Sequence, residues 1–280
     1  MTTAPDAVAA PDTHHTHDVG RTATRLAHIL MASARMQILV IRGHPVIPLL
    51  TVVQPTVIYL VVSSGQTASA TAQQRAALLL ATLLTSLWGV TLWAAGGVLR
   101  REIFEGTLAR NLTSVTDARL VLLGKCLGST CLAFGLLVGT GVVLALVENV
   151  RVRPGILPWL VLGLCVVTVS GTVMGFVLSG VFVLTRHAIH VTAALSYPVY
   201  IFGGLLIPTA LLPAWLGWIS RLVSLYWANQ FLDSAVDTGR PRPGDLALCG
   251  LLTVLYYAAG HLLFARIIRR ARVRGTIDLG

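Results

Sequence analysis

Apolar residues run in long blocks from position 45 to the neighbourhood of position 268, and short polar stretches separate them. A helix needs about 20 residues to cross the hydrocarbon layer of a bilayer, where every backbone polar group must be satisfied internally. The blocks therefore predict six membrane-spanning helices, at residues 45–63, 76–99, 120–147, 156–185, 191–207 and 246–268. The fifth is short for a crossing, while the third and fourth are overlong and should tilt or project into water. After the fifth block come Gly203, Gly204 and Pro208, and the chain stays apolar through Leu212, Trp215, Leu216, Trp218 and Leu222. Pro208 and Pro213 prevent one continuous helix. Residues 214–236 are expected as one or two short helices that re-enter the interface, with Trp215 and Trp218 at headgroup depth. Arg221, Asp233 and Asp237 speak against a seventh crossing there.

Ahead of the first block the period becomes helical. Arg21, Arg25, His28, Arg35 and Arg42 fall within an arc of about 100°, opposite Leu26, Leu30, Val40 and Ile41. A basic stripe facing an apolar one predicts a helix in the headgroup plane of an anionic leaflet. The alternative is a helix packed on its own protein. Residues 1–20, rich in Thr, Ala, Pro, Asp and His, read as a disordered tail. His14, His15 and His17 form no caged set, and no metal site is assigned to them.

Composition sharpens this picture. Hydrophobic residues make up 55% of the chain and charged ones 11%, against about 25% charged in a soluble domain. The fold class is an all-α polytopic membrane protein: six crossings, an interfacial amphipathic helix ahead of them and a re-entrant segment between the fifth and sixth. The net charge of +10 forms no contiguous soluble patch, which argues against nucleic acid as a partner. Cys126, Cys131, Cys165 and Cys249 all lie within apolar runs without a C-x-x-C pair and read as small buried hydrophobes. Residues 1–20 lack the pattern of a cleavable signal. Of the Lys and Arg residues, fifteen fall on one side of the six crossings and six on the other. The positive-inside rule puts both termini in the cytoplasm, with tails at 1–20 and 271–280 around one membrane domain at 21–270.

The candidate chemistry concentrates between the second and third blocks. Arg100, Arg101, Glu102, Glu105, Arg110 and Asn111 make a charged island that must sit at one water-facing surface. Lys125, one turn into the third block, is expected to snorkel outward. His261 reads as a hydrogen-bonded packing residue. No carboxylate lies mid-span, which argues against an ion-coupled carrier, and no H-E-x-x-H or facing acid pair suggests an intramembrane enzyme. Gly124-Lys125 is followed by Cys126 rather than Ser or Thr and has no phosphate loop around it. Any ATP-driven action would need a separate ATPase. Gly124/Gly128, Gly135/Gly139 and Gly171/Gly175 are spaced for close helix packing.

Glu102 through Leu108, followed by Gly124-Lys125, resembles the E-x-x-x-G-T-L … G-K signature of type-2 ABC exporter permeases. Gly203-Gly204-Leu205-Leu206-Ile207-Pro208 and Leu212-Pro213-Ala214-Trp215-Leu216 look like that family's run after the fifth span. The likeness covers residues 22–270. Ser224 departs from it, standing where the family often has a Pro. The resemblance implies a coupling helix of Glu102, Phe104, Glu105, Gly106, Thr107 and Leu108 contacting the ATPase, helped by an interfacial helix bearing Arg25, Arg35 and Arg42. Gly203, Gly204, Pro208, Pro213 and Trp215 would shape the re-entrant segment. It further implies two ATPase subunits that hold the ATP-Mg, no cofactor in this chain, and a second permease copy forming a homo- or heterodimer. The cargo path would lie between the copies, along the first, second and fifth spans, in a bacterial cell membrane. A hydrophobic or amphipathic drug, antibiotic or lipid-like cargo is expected, with a polysaccharide or glycolipid exporter, or a non-transporting immunity or scaffold protein, as alternatives.

Overall fold

The computed structural model describes residues 14–65, 71–106, 118–150, 154–184, 188–205, 213 and 216–274. Every regular element among them is helical. In order these are α1 (His14–Arg42), α2 (Val46–Ser64), α3 (Ala72–Val90), a π-helical turn (Thr91–Ala95), α4 (Val98–Phe104), α5 (Ala118–Val147), a 3-10 turn (Pro154–Ile156), α6 (Leu157–Leu184), α7 (Ala188–Phe202), α8 (Gly217–Ser220), α9 (Ser224–Thr238) and α10 (Pro243–Arg274).

Five stretches are long and apolar enough to cross a membrane: Val46–Ser64, Gln73–Glu102, Ala118–Val147, Leu157–Phe182 and Pro243–Ile267. They match five of the six expected crossings. The remaining one corresponds to α7, which has 15 residues, carries Pro198 inside it, and ends in a turn where Gly204 takes a φ of +70°. Pro208 and Trp215 lie outside the described residues. Beyond them, α8 and α9 are the two short helices expected over 214–236.

Local chemistry sets several helix ends. Thr71 caps α3 reciprocally with Gln74: the Gln74 amide donates to Thr71 Oγ1 at 3.2 Å, and the Thr71 amide donates to Gln74 Oε1 at 2.9 Å. Within the apolar helices the hydroxyls of Thr51, Thr82, Thr130 and Thr168 donate to carbonyls one turn back, which satisfies those four groups within their own helices. The described part of α1 begins at His14, so residues 14–20, expected in a disordered tail, are helical.

The largest core joins Leu84, Leu87 and Leu92 of the second span to Val167 and Phe182 of α6 and to Phe231 and Leu232 of α9. A second core packs Val98 and Leu99 against Leu122 and Cys126 of α5 and against Phe176 and Phe264, whose rings stack 4.6 Å apart. A third closes the far end, where Tyr59 meets Leu79 and Leu144.

The glycine spacings divide by role. A Cβ on Gly124 would lie 2.7 Å from the Leu30 carbonyl oxygen, and one on Gly128 would run into that of Ala34, so α1 presses directly on the α5 backbone. Contacts advance together along both chains, so α1 and α5 run in the same direction. On α6, a Cβ at Gly175 would come within 2.5 Å of the Ala95 side chain. Gly135 and Gly139 meet nothing within 4 Å. Cys126 and Cys249 are buried, whereas Cys131 and Cys165 are exposed on the outward faces of α5 and α6. Sequence put all four inside, but in a bilayer the outer face of a span is as apolar as its inner one.

Candidate functional site

The second span does not end as a plain helix. Gly96 donates to the Thr91 carbonyl at 2.8 Å, an i to i+5 bond that opens one wide turn, and α4 resumes at Val98. Val98 and Leu99 anchor α4 in the second core. At the other end Phe104 stands 77% exposed, with Glu105 and Gly106 exposed beside it. The Arg100 guanidinium sits over the Phe104 ring, 5.4 Å from its centroid. Gly106 adopts a φ of +67°, a left-handed conformation that glycine takes without strain and that stops the helix. Thr107 and Leu108 lie outside the described residues.

Glu102 faces the other way. It is buried, and its carboxylate accepts from the Lys125 ammonium on α5. Lys125 was expected to snorkel outward, and the structure corrects this: the lysine is 7% exposed and turned inward. The physical reason is that an opposite charge lies within reach inside the bundle, so the ammonium is not buried unpaired. The two halves of the E-x-x-x-G-T-L … G-K pattern are thus tied to each other by their charged members. A sequence clue existed, namely opposite charges each one turn from the edge of an apolar block. His261 also finds a partner, accepting from Arg119 Nη1 at 2.7 Å.

Between α2 and the π-helical turn lies a groove of about 580 Å³, bordered by Ile47, Leu50, Gln54, Gly89, Trp93 and Arg101. The π-helical turn leaves Trp93 58% exposed. At Gly89 an added Cβ would lie 3.3 Å from Gln54 Nε2 and 3.4 Å from the Tyr200 hydroxyl, so α2, α3 and α7 converge there. Sequence reading had not singled out Gln54, Trp93 or Arg101 as lining residues, because a wide turn in an apolar run leaves no mark in its periodicity.

The α1 helix presents both expected faces, with one change. Arg25, His28, Arg35 and Arg42 are exposed, while Ser33, Ala34, Gln37 and Ile41 on the opposite side are buried against α5. The helix is packed on its own protein along this face, and Leu26, counted among the apolar face, is 38% exposed beyond the contact. Met31, Met36 and Leu39 are exposed around the arginines.

In the following segment Gly203 is buried, Pro213 exposed and Trp218 60% exposed. Ser224 takes a bond at 2.9 Å from the Ser170 hydroxyl of α6, and Tyr256 of α10 donates to the Leu222 carbonyl. These bonds seat α8 and α9 on the α6–α10 pair.

The family model for the ABC-2 type transporter matches residues 28–235. No curated protein matches the chain.

Proposed function

The chain belongs to the ABC-2 type transporter family, a family of multi-pass membrane transport subunits, and on that premise we propose that it is the permease of an ATP-driven exporter. It works as a pair of permeases with two separate ATPase subunits that hold the ATP-Mg. Both termini and the α4 tip face the cytoplasm of a bacterial cell, as the basic residues flanking the spans favour. α7 supplies the sixth crossing, and α8 and α9 form the re-entrant segment. The cargo is a hydrophobic or amphipathic small molecule (a drug, antibiotic or lipid-like compound) moved outward.

One observation carries this reading. An exposed aromatic, Phe104, protrudes beside Glu105 from a helix end whose other face is fixed by the buried Glu102–Lys125 pair. A side chain offered to a partner on a rigid stalk can transmit a push into the spans on either side of it, whereas a solvated loop would absorb it. Glu102 serves here as the strut and Phe104 with Glu105 as the contact, and Thr107 and Leu108 continue that contact. The basic face of α1 lies at the headgroup layer of the bilayer and borders the same partner.

Co-expression with a candidate ABC ATPase subunit tests the proposal. Co-purification of the two, lost with Glu105→Arg, is the result expected. Undiminished ATPase capture and undiminished export by that variant would remove the coupling role.

A further inference from the structure

We propose that the groove between α2 and the π-helical turn binds an elongated amphiphile with one acidic group, the anion on Arg101 and the apolar body along Leu50, Val90 and Trp93. This rests on the exporter reading and names the class of its cargo.

The groove has the volume of a site for a drug-sized molecule, for which about 300–1,000 Å³ is usual. Its lining is apolar apart from a few groups. Among these, Thr51 donates its hydroxyl to the Ile47 carbonyl at 2.9 Å and is already occupied. The Gln54 amide and the Arg101 guanidinium make no hydrogen bond or ion pair among the described residues. Guanidinium stays protonated at any physiological pH, so one end of the groove carries a fixed positive charge. The neighbouring carboxylate does not cancel it, because Glu102 is committed to Lys125 inside the bundle. A cationic ligand would meet like charge there, and a neutral one would leave the guanidinium without an anion.

Spacing adds a second constraint. Gly89, where Gln54 lies, is twelve residues from Arg101 along one span, or roughly 18 Å at 1.5 Å per residue. A ligand that reaches both is long and narrow, with its anion at the groove mouth and a hydrogen-bonding group deep within it. The π-helical turn supplies the floor, since it exposes the Trp93 indole as a flat apolar surface. Such turns inside α-helices are frequently found at functional sites.

The test uses the purified full-length chain in phosphatidylcholine vesicles, titrated with dibromostearate, whose bromines quench indole emission, and with its methyl ester. The chain has 6 tryptophans, so Trp93→Phe supplies the baseline to subtract. The acid should quench the Trp93 component saturably at about one tenth of the ester's concentration, Arg101→Gln should raise the acid's half-saturation about tenfold, and Arg101→Lys should stay within about threefold of the parent. Equal quenching by acid and ester in the parent chain, which needs no variant to fold, overturns the proposal. So does an Arg101→Gln curve that superimposes on the parent's. Phosphatidylglycerol added to the vesicles separates the sources: displacement of the acid identifies an anionic bilayer lipid as occupant, undiminished binding a free acidic amphiphile, and either result retains the anion site. The readout needs no ATPase. Failure of ATPase co-purification with intact acid-selective quenching therefore sinks the exporter reading alone, and the reverse pattern sinks the site alone.

Discussion

Lys125 on α5 donates to Glu102 at the end of the second span, and both side chains are buried. The pair spans the charged island from one edge to the other, so the exposed tip between them hangs from a clasp. Removing one partner strands the other in an apolar setting, which costs about 3–5 kcal/mol, whereas replacing both with apolar groups of similar size is far milder. Glu102→Leu and Lys125→Met should each lower the thermal unfolding midpoint in detergent sharply. The double variant should recover most of the loss, and a double variant no more stable than the sum of the singles would show that the pair is not coupled.

Phe104 is the opposite case. At 77% exposure its truncation removes little packing. Phe104→Ala should change stability by no more than about 0.5 kcal/mol while weakening ATPase capture by about 2 kcal/mol, as loss of an aromatic anchor does. Thermal unfolding and co-purification titrations on the same preparation separate the two effects.

Gly106 needs its left-handed backbone but has empty space around it. Gly106→Ala should therefore cost about 1–2 kcal/mol through strain and not through a clash, with Gly106→Asn milder. The unfolding midpoints should follow the order Gly, Asn, Ala.

Gly128 and Gly135 are seven residues apart on α5 and answer to different neighbours. Gly128→Val would drive a side chain into the Ala34 backbone, while Gly135 has open space beside it. The first should destabilise by about 1–3 kcal/mol and expose α1 to protease. The second should leave digestion unchanged.

Orientation has its own check. With Cys131 and Cys165 replaced, Phe104→Cys should react with a membrane-permeant maleimide on intact cells and stay unlabelled by an impermeant one.

Much of this architecture was written in the hydropathy. The five long apolar helices fall within a few residues of their blocks because crossing length and lack of charge are local properties. α7 was harder, since Pro198 and the turn at Gly204 shorten its helix within an apolar run that continues. The two faces of α1 were readable from the spacing of its arginines, but the spacing could not say that Ser33 and Ala34 rest on α5, because that depends on Gly124 and Gly128 lying ninety residues further on. A separation of 23 residues likewise hid the Glu102–Lys125 pair. Each residue looks like the edge of a separate block until the fold closes the interval. Phe104 and Glu105 could be picked out as an unusual interval, and the structure adds that they are the outward members of it.

The wide turn at Thr91–Ala95 also acts as a phase setter. It slips one extra residue into the span, so everything below it is turned by roughly 100° from where an uninterrupted α-helix would place it. Straightening the turn into plain α-helix with every residue kept would swing Glu102 away from Lys125 and Arg101 out of line with Gln54, whereas deleting one residue together with the wide turn would leave both in place. Residue count and turn width together thus set the angular offset between the groove and the protruding tip.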